Sequence, residues 1–96
     1  MAYDPGAIDA TLAAAVGDEP MLIAELREAF VDSAQRAIAV LDNAANENDW
    51  RLGVARLRGL AASFGAVRLM SLAVDAADTP GDKAVLVRLR RAVARL

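Results

Sequence analysis

Few side chains here are able to attack a substrate. Ser33, Ser63, Ser71, Thr11 and Thr79 carry hydroxyls, but the 96-residue sequence has no histidine and no cysteine. A hydroxyl is a weak nucleophile until a neighbouring base takes its proton. With no imidazole and no Ser-x-x-Lys, none of the five has such a base in the sequence. They read as capping or helix-surface groups. Glu25 with Glu28, and Asp75 with Asp78, stand three residues apart, which puts two carboxyls on one helix face. No companion residues point to a buried pair with separated pKa values, so these read as solvated faces. Gly53, Gly59 and Gly65 recur every six residues but follow no strand, so they do not form a phosphate-binding loop. The missing His and Cys remove the usual zinc and copper ligands, and no segment has the spacing of a calcium loop. No metal, no cofactor and no enzymatic activity are expected.

The stretch Val54–Ala66 stands apart from the rest. Val54, Leu57, Ala61 and Phe64 fall on one face at helical spacing, and Arg51, Ala55, Arg58 and Ala62 on the opposite face. Gly59 lies inside this helix, where glycine costs about 1 kcal/mol relative to alanine. A glycine beside an arginine-lined face leaves room for something to approach.

The elements that position this helix are themselves helical. Ile8–Val16 reads as a short helix stopped by Gly17, with Ile8, Leu12 and Ala15 or Val16 inward. Asp18 is the expected N-cap of a long second helix reaching about Asn43. Its stripe is Leu22, Leu26, Phe30, Ala34 or Ala37, Leu41 and Ala44, widened by Ile23, Ile38 and Val40. Asp32-Ser33 marks a candidate kink. Asp49 is the expected cap of the third helix, Trp50 its first residue and Phe64 about its last. Val67–Ala77 follows with Leu69, Leu72, Ala73 and Ala76 inward. Asp78-Thr79-Pro80-Gly81-Asp82 breaks the chain. Lys83–Arg95 closes it, with Val85 or Leu86, Leu89, Val93 and Leu96 inward and Arg88, Arg90, Arg91 and Arg95 mostly outward. No segment alternates with period two. The expected fold is one all-α domain over residues 1–96. It is an antiparallel up-down-up-down four-helix bundle with a short additional N-terminal helix, because short loops make neighbours antiparallel.

Charge is unevenly divided. Residues 1–49 hold ten acids and two bases, a net of −8; residues 50–96 hold nine bases and three acids, a net of +6. Two readings stay open: acidic and basic helices that neutralise each other, or a basic face for an acidic partner. The overall charge of −2 and the lack of exposed aromatics among the basic residues argue against nucleic acid. The aromatics Tyr3, Phe30, Trp50 and Phe64 read as core or tail. No run approaches the length of a membrane span, and Met-Ala-Tyr-Asp-Pro-Gly does not open like a signal peptide. A cytoplasmic protein without membrane contact is expected.

With these residues in view, the chain resembles the histidine-containing phosphotransfer (HPt) domain of bacterial phosphorelays. The family's helical motif "AHxLKG" aligns in turn with Val54, Ala55, Arg56, Leu57, Arg58 and Gly59. Leu60-Ala61-Ala62-Ser63-Phe64-Gly65-Ala66 follows as the family's "xAAxxGA", with Leu69 and Leu72 in the next helix. Phe30, opening the segment Phe30–Asp42, fits the family's helix phenylalanine. The likeness covers almost the whole chain, in helix number and order. It fails at one position above all: Ala55 stands where the family has its phosphorylated histidine. Moving Arg56 there would need a deletion within the helix and would rotate Leu57 and Phe64 by about 100°.

The resemblance implies a docking surface without the chemistry. The family's imidazole attacks an aspartyl phosphate on a receiver domain, and a methyl group cannot. The glycine at position 59 and the basic residue at 58 match places that in the family leave room for the partner and meet its phosphate or acidic groups. Arg51 and Arg56 add positive charge. The expected partner-binding residues are therefore Arg51, Ala55, Arg56, Arg58, Gly59 and Ala62. The expected function is a pseudo-phosphotransfer module that binds a response-regulator receiver domain or a histidine kinase. Two alternatives are a homodimeric helical adaptor, and a His-to-Ala form of a true phosphotransfer protein.

Overall fold

Glycine and capping side chains set the helix ends. The computed structural model describes the backbone of residues 5–17 and 19–96, with side chains from Ile8 onward except at residue 18. Five helices follow one another: α1 Pro5–Val16, α2 Pro20–Asp42, α3 Glu47–Ser63, α4 Val67–Ala77 and α5 Lys83–Ala94. The described residues form no strand, and the fold is all-α. α3 ends at Gly65, whose φ of 68° suits a residue without Cβ. There the N–H of Ala66 donates to the Ala61 carbonyl at 2.9 Å and that of Gly65 to the Ala62 carbonyl at 3.3 Å. Those two bonds satisfy carbonyls that the helix itself leaves open.

Three helix starts differ from expectation, the first being α1, which begins at Pro5 rather than Ile8. α3 begins at Glu47 rather than Trp50, because its cap is Asn46 and not Asp49. The Asn46 side chain accepts from the Asp49 N–H at 2.8 Å. Asp49 thereby joins Glu47 in the first turn, where carboxylates favour the positive end of the helix. α2 begins at Pro20, whose missing N–H costs nothing in a first turn. Its cap position is Glu19, which makes no side-chain capping bond; the cap expected at Asp18 falls outside the described residues. α2 continues through Asp32 and Ser33 without a break. Asp82 caps α5 by accepting from the Ala84 N–H at 2.8 Å.

α1 packs on α2, α2 also on α3 and α5, and α4 on both α3 and α5. Most of the expected inward residues of α3, α4 and α5 are buried, from Val54, Leu57 and Ala61 through Leu69 and Leu72 to Leu86 and Leu89. Phe30 of α2 stacks on Phe64 with ring centroids 4.6 Å apart. Trp50 is buried and its indole N–H donates to the Ala76 carbonyl at 2.7 Å, joining the start of α3 to the end of α4. Gly53 is buried where α2 and α3 approach; a Cβ there would stand 2.8 Å from Leu41 Cδ2. Any side chain there would force Leu41 to shift, so this glycine has a packing role quite separate from any phosphate loop.

Among the expected core positions Ile23, Leu26, Ala44, Phe64 and Leu96 are half-buried against the core, and three more stand further out. Leu22 is 40% exposed, Val40 is 49% exposed, and Ala15 is exposed while Val16 is half-buried. Leu22 has a clear cause. α5 lies along α2 with Lys83 at Asp42 and Leu96 at Arg27, whose guanidinium donates to the Leu96 carbonyl. The first two turns of α2 therefore run past the end of α5.

Asp42 clasps α2 to α5. Its carboxylate accepts from Lys83 at 2.7 Å and from Arg90 at 3.0 Å. The hydrogen bond from Lys83, then that from Arg90, holds the Asp42 carboxyl below its ordinary pKa. A depressed carboxyl contributes stability above its unfolded pKa and loses it as the pH falls through the folded value. The stability advantage of the natural chain over Asp42→Asn is therefore expected to hold steady near neutrality and shrink below about pH 4. Urea unfolding at pH 7 and pH 3 measures this; an equal gap at both would show that the clasp adds nothing through charge.

Candidate functional site

All six residues singled out on α3 are exposed. At 100° per residue, Arg51, Ala55, Arg58, Gly59 and Ala62 share an arc about 100° wide. Trp50, Gly53, Val54, Leu57 and Ala61 occupy the other side and anchor the helix in the core. The sixth, Arg56, lies about 100° round from Ala55. It lines a hollow between α2 and α3 of about 590 Å³, together with Val40, Leu52 and Gly53. The structure thus gathers five of the six and puts Arg56 at their edge.

The charges on the arc differ in availability. Arg51 is held by Glu47 at 2.6 Å, one turn back on the same helix. Arg58 has no ion-pair partner among the described residues. Its guanidinium is free to meet a carboxylate or phosphate in a two-pronged contact. Beside it, a Cβ built at Gly59 would meet nothing within 4 Å. No internal contact accounts for this glycine, in contrast to Gly53. It keeps the surface low between Ala55 and Ser63, and its carbonyl accepts from the Ser63 hydroxyl at 2.9 Å.

The arc holds no catalytic set. Ala55 offers a methyl group, and the exposed Ser63 hydroxyl is spent on a backbone carbonyl of its own helix. Ser33 accepts from Arg36 at 3.5 Å, and the Thr79 hydroxyl donates to the Ala76 carbonyl at 3.5 Å. Glu25, Glu28, Asp75 and Asp78 are all exposed. Among the described residues no three His, Cys, Asp or Glu come together in a way that would hold a metal ion. No described helix is long and apolar enough to cross a membrane.

Reading the sequence missed the Asn46 cap, the packing role of Gly53 and the hollow beside Val40 and Leu52. Both carried a signal: Val40 is a large apolar residue at the margin of its helix's inward stripe, and Leu52 is a large apolar residue, 64% exposed, on the outward side of α3. Comparison with known proteins adds no assignment: no protein-family model matches the chain, and neither a curated protein nor a solved structure does.

Proposed function

We propose that the chain is a histidine-free phosphotransfer-type docking module. In this reading α2 to α5 close as an up-down-up-down four-helix bundle, with α1 added on α2. The α3 arc then binds the receiver domain of a two-component phosphorelay in the cytoplasm, or a histidine kinase, and carries no phosphate itself. Partners would be sequestered or scaffolded by it. The observation that carries this reading is Gly59, an exposed helical glycine with open space at its Cβ, beside the unpaired Arg58 and the methyl of Ala55. A low, positively charged patch of that kind suits an acidic pocket.

Gly59→Arg tests the reading. The substitution fills the space above the helix but replaces glycine with a good helix former, so the fold gains up to about 1 kcal/mol. Lost binding therefore reports on the surface and not on unfolding. Titration against the receiver domains and histidine kinases of the same genome should find at least one partner, and Gly59→Arg should weaken it at least about tenfold, or about 1.4 kcal/mol. Binding to no receiver domain and no histidine kinase of that genome, or equal binding by Gly59→Arg, would refute the docking face.

A further inference from the structure

α2 carries a second outward stripe, which meets the α3 face at Arg56 in the hollows beside Val40. Leu22, Glu25, Ala29, Ser33, Arg36 and Val40 fall close to one line along the helix at 100° per residue. Glu25, Ala29 and Arg36 are exposed, Ser33 is half-buried, and Leu22 and Val40 keep the exposure already noted. The stripe is complementary to its own reverse. Turning α2 end for end about Val31 brings Leu22 onto Val40 and Ala29 onto Ser33. It brings Glu25 to within one residue's rise, about 1.5 Å, of Arg36.

We propose that a second copy of this chain packs antiparallel along α2, related by a two-fold axis near Val31. Each apolar end meets an apolar end, and each acid meets a base, as an isologous contact requires. The small side chains of Ala29 and Ser33 lie at the crossing, where they let the two helices approach closely. Glu25 and Arg36 lie on the same side of the stripe, so both copies present them to each other. Arg36 is available for this. Its ion-pair partner is Asp32 at 3.1 Å, one turn away on the same helix with both side chains largely in water, and it also donates to Ser33 at 3.5 Å. Exposed pairs of that kind are weakly held. Room for the partner's Leu22 exists beside Val40, in the hollow that Leu52 and Ala37 also line. A contact made by one helix from each copy falls at the small end of specific interfaces, below about 1,200 Å². Association is accordingly weak and depends on the two ion pairs.

Sedimentation equilibrium of the whole chain, from about 10 μM to about 1 mM, tests this. The natural chain should show a reversible monomer–dimer equilibrium in that range. Glu25→Arg and Arg36→Glu each set like charges against each other at both pairs, and each should raise the dimer Kd at least about tenfold. Mixed in equal amounts, the two variants again oppose unlike charges at both positions and should associate within about threefold of the natural chain. Both sites are exposed, and unchanged circular dichroism confirms that the variants are folded. A chain monomeric throughout the range overturns the proposal. So does a dimer that neither variant weakens, or a mixture that associates no better than its components.

Discussion

Replacing Trp50 by alanine is expected to lower the free energy of unfolding by about 3–5 kcal/mol. Trp50 is only 2% exposed, and it sits in the first turn of α3 with its ring in the core. Truncation removes the largest buried side chain and leaves a void that surrounding helices only partly fill. It also removes the indole bond to Ala76, which fastens α3 to the end of α4. The Ala76 carbonyl is not orphaned by the loss, since it still accepts from the Thr79 N–H at 3.2 Å. The cost is therefore one of packing more than of an unsatisfied polar group. A chain of this size has about 5–15 kcal/mol in all, so the variant would lose about a fifth of it or more. Urea unfolding followed by circular dichroism reads the change as a fall in midpoint at constant slope. A loss under about 1 kcal/mol would mean that Trp50 does not anchor the helix pair.

The residues involved show what was legible in the sequence. α4 emerges at its expected bounds, Val67–Ala77, because a strong apolar stripe lies between two breakers. The inward faces of α3 and α5 were legible for the same reason: their large residues recur at one spacing and nothing competes. The start of α3 was not. Asn46 and Asp49 are both good caps, and local preference does not choose between them; the bond from the Asp49 N–H to Asn46 does. Leu22 misled because periodicity says which side a residue faces, not whether a partner helix reaches that far. Gly53 was opaque because its reason is Leu41, twelve residues away and on another helix. The exposed arc on α3 was legible as a face, but not its uneven charge. Whether Arg51 or Arg58 is free depends on Glu47 lying one turn before the former.

On the proposed docking reading, placing an imidazole at position 55 gives the other large effect. Ala55→His is expected to accept phosphate from a phosphorylated receiver domain, where the natural chain is expected to accept none. Ala55 is exposed at the centre of the arc, so the new ring would stand in solvent between Arg58 and Gly59. Helix propensity falls by no more than about 0.7 kcal/mol, which the fold tolerates. The step is a displacement at phosphorus. A neutral ring nitrogen gives its lone pair to the phosphorus, the bond from phosphorus to the aspartyl oxygen breaks, and the receiver's carboxylate leaves with that electron pair. The proton on the other ring nitrogen is then lost to water. Only the neutral ring can attack, and an exposed imidazole has a pKa near 6.5, so transfer should fall as the pH drops below about that value. Radiolabel from a phosphorylated receiver should appear on Ala55→His and not on the natural chain. Ser63→His supplies the geometric control: position 63 lies about 80° away around the helix and two turns further along, and it should accept far less. Equal labelling of the two variants would show a promiscuous imidazole and no built face. Absence of label on Ala55→His, with a receiver that binds the chain, would separate the two halves of the proposal. Docking would stand, and the arc would be a surface that never positioned a phosphoryl group.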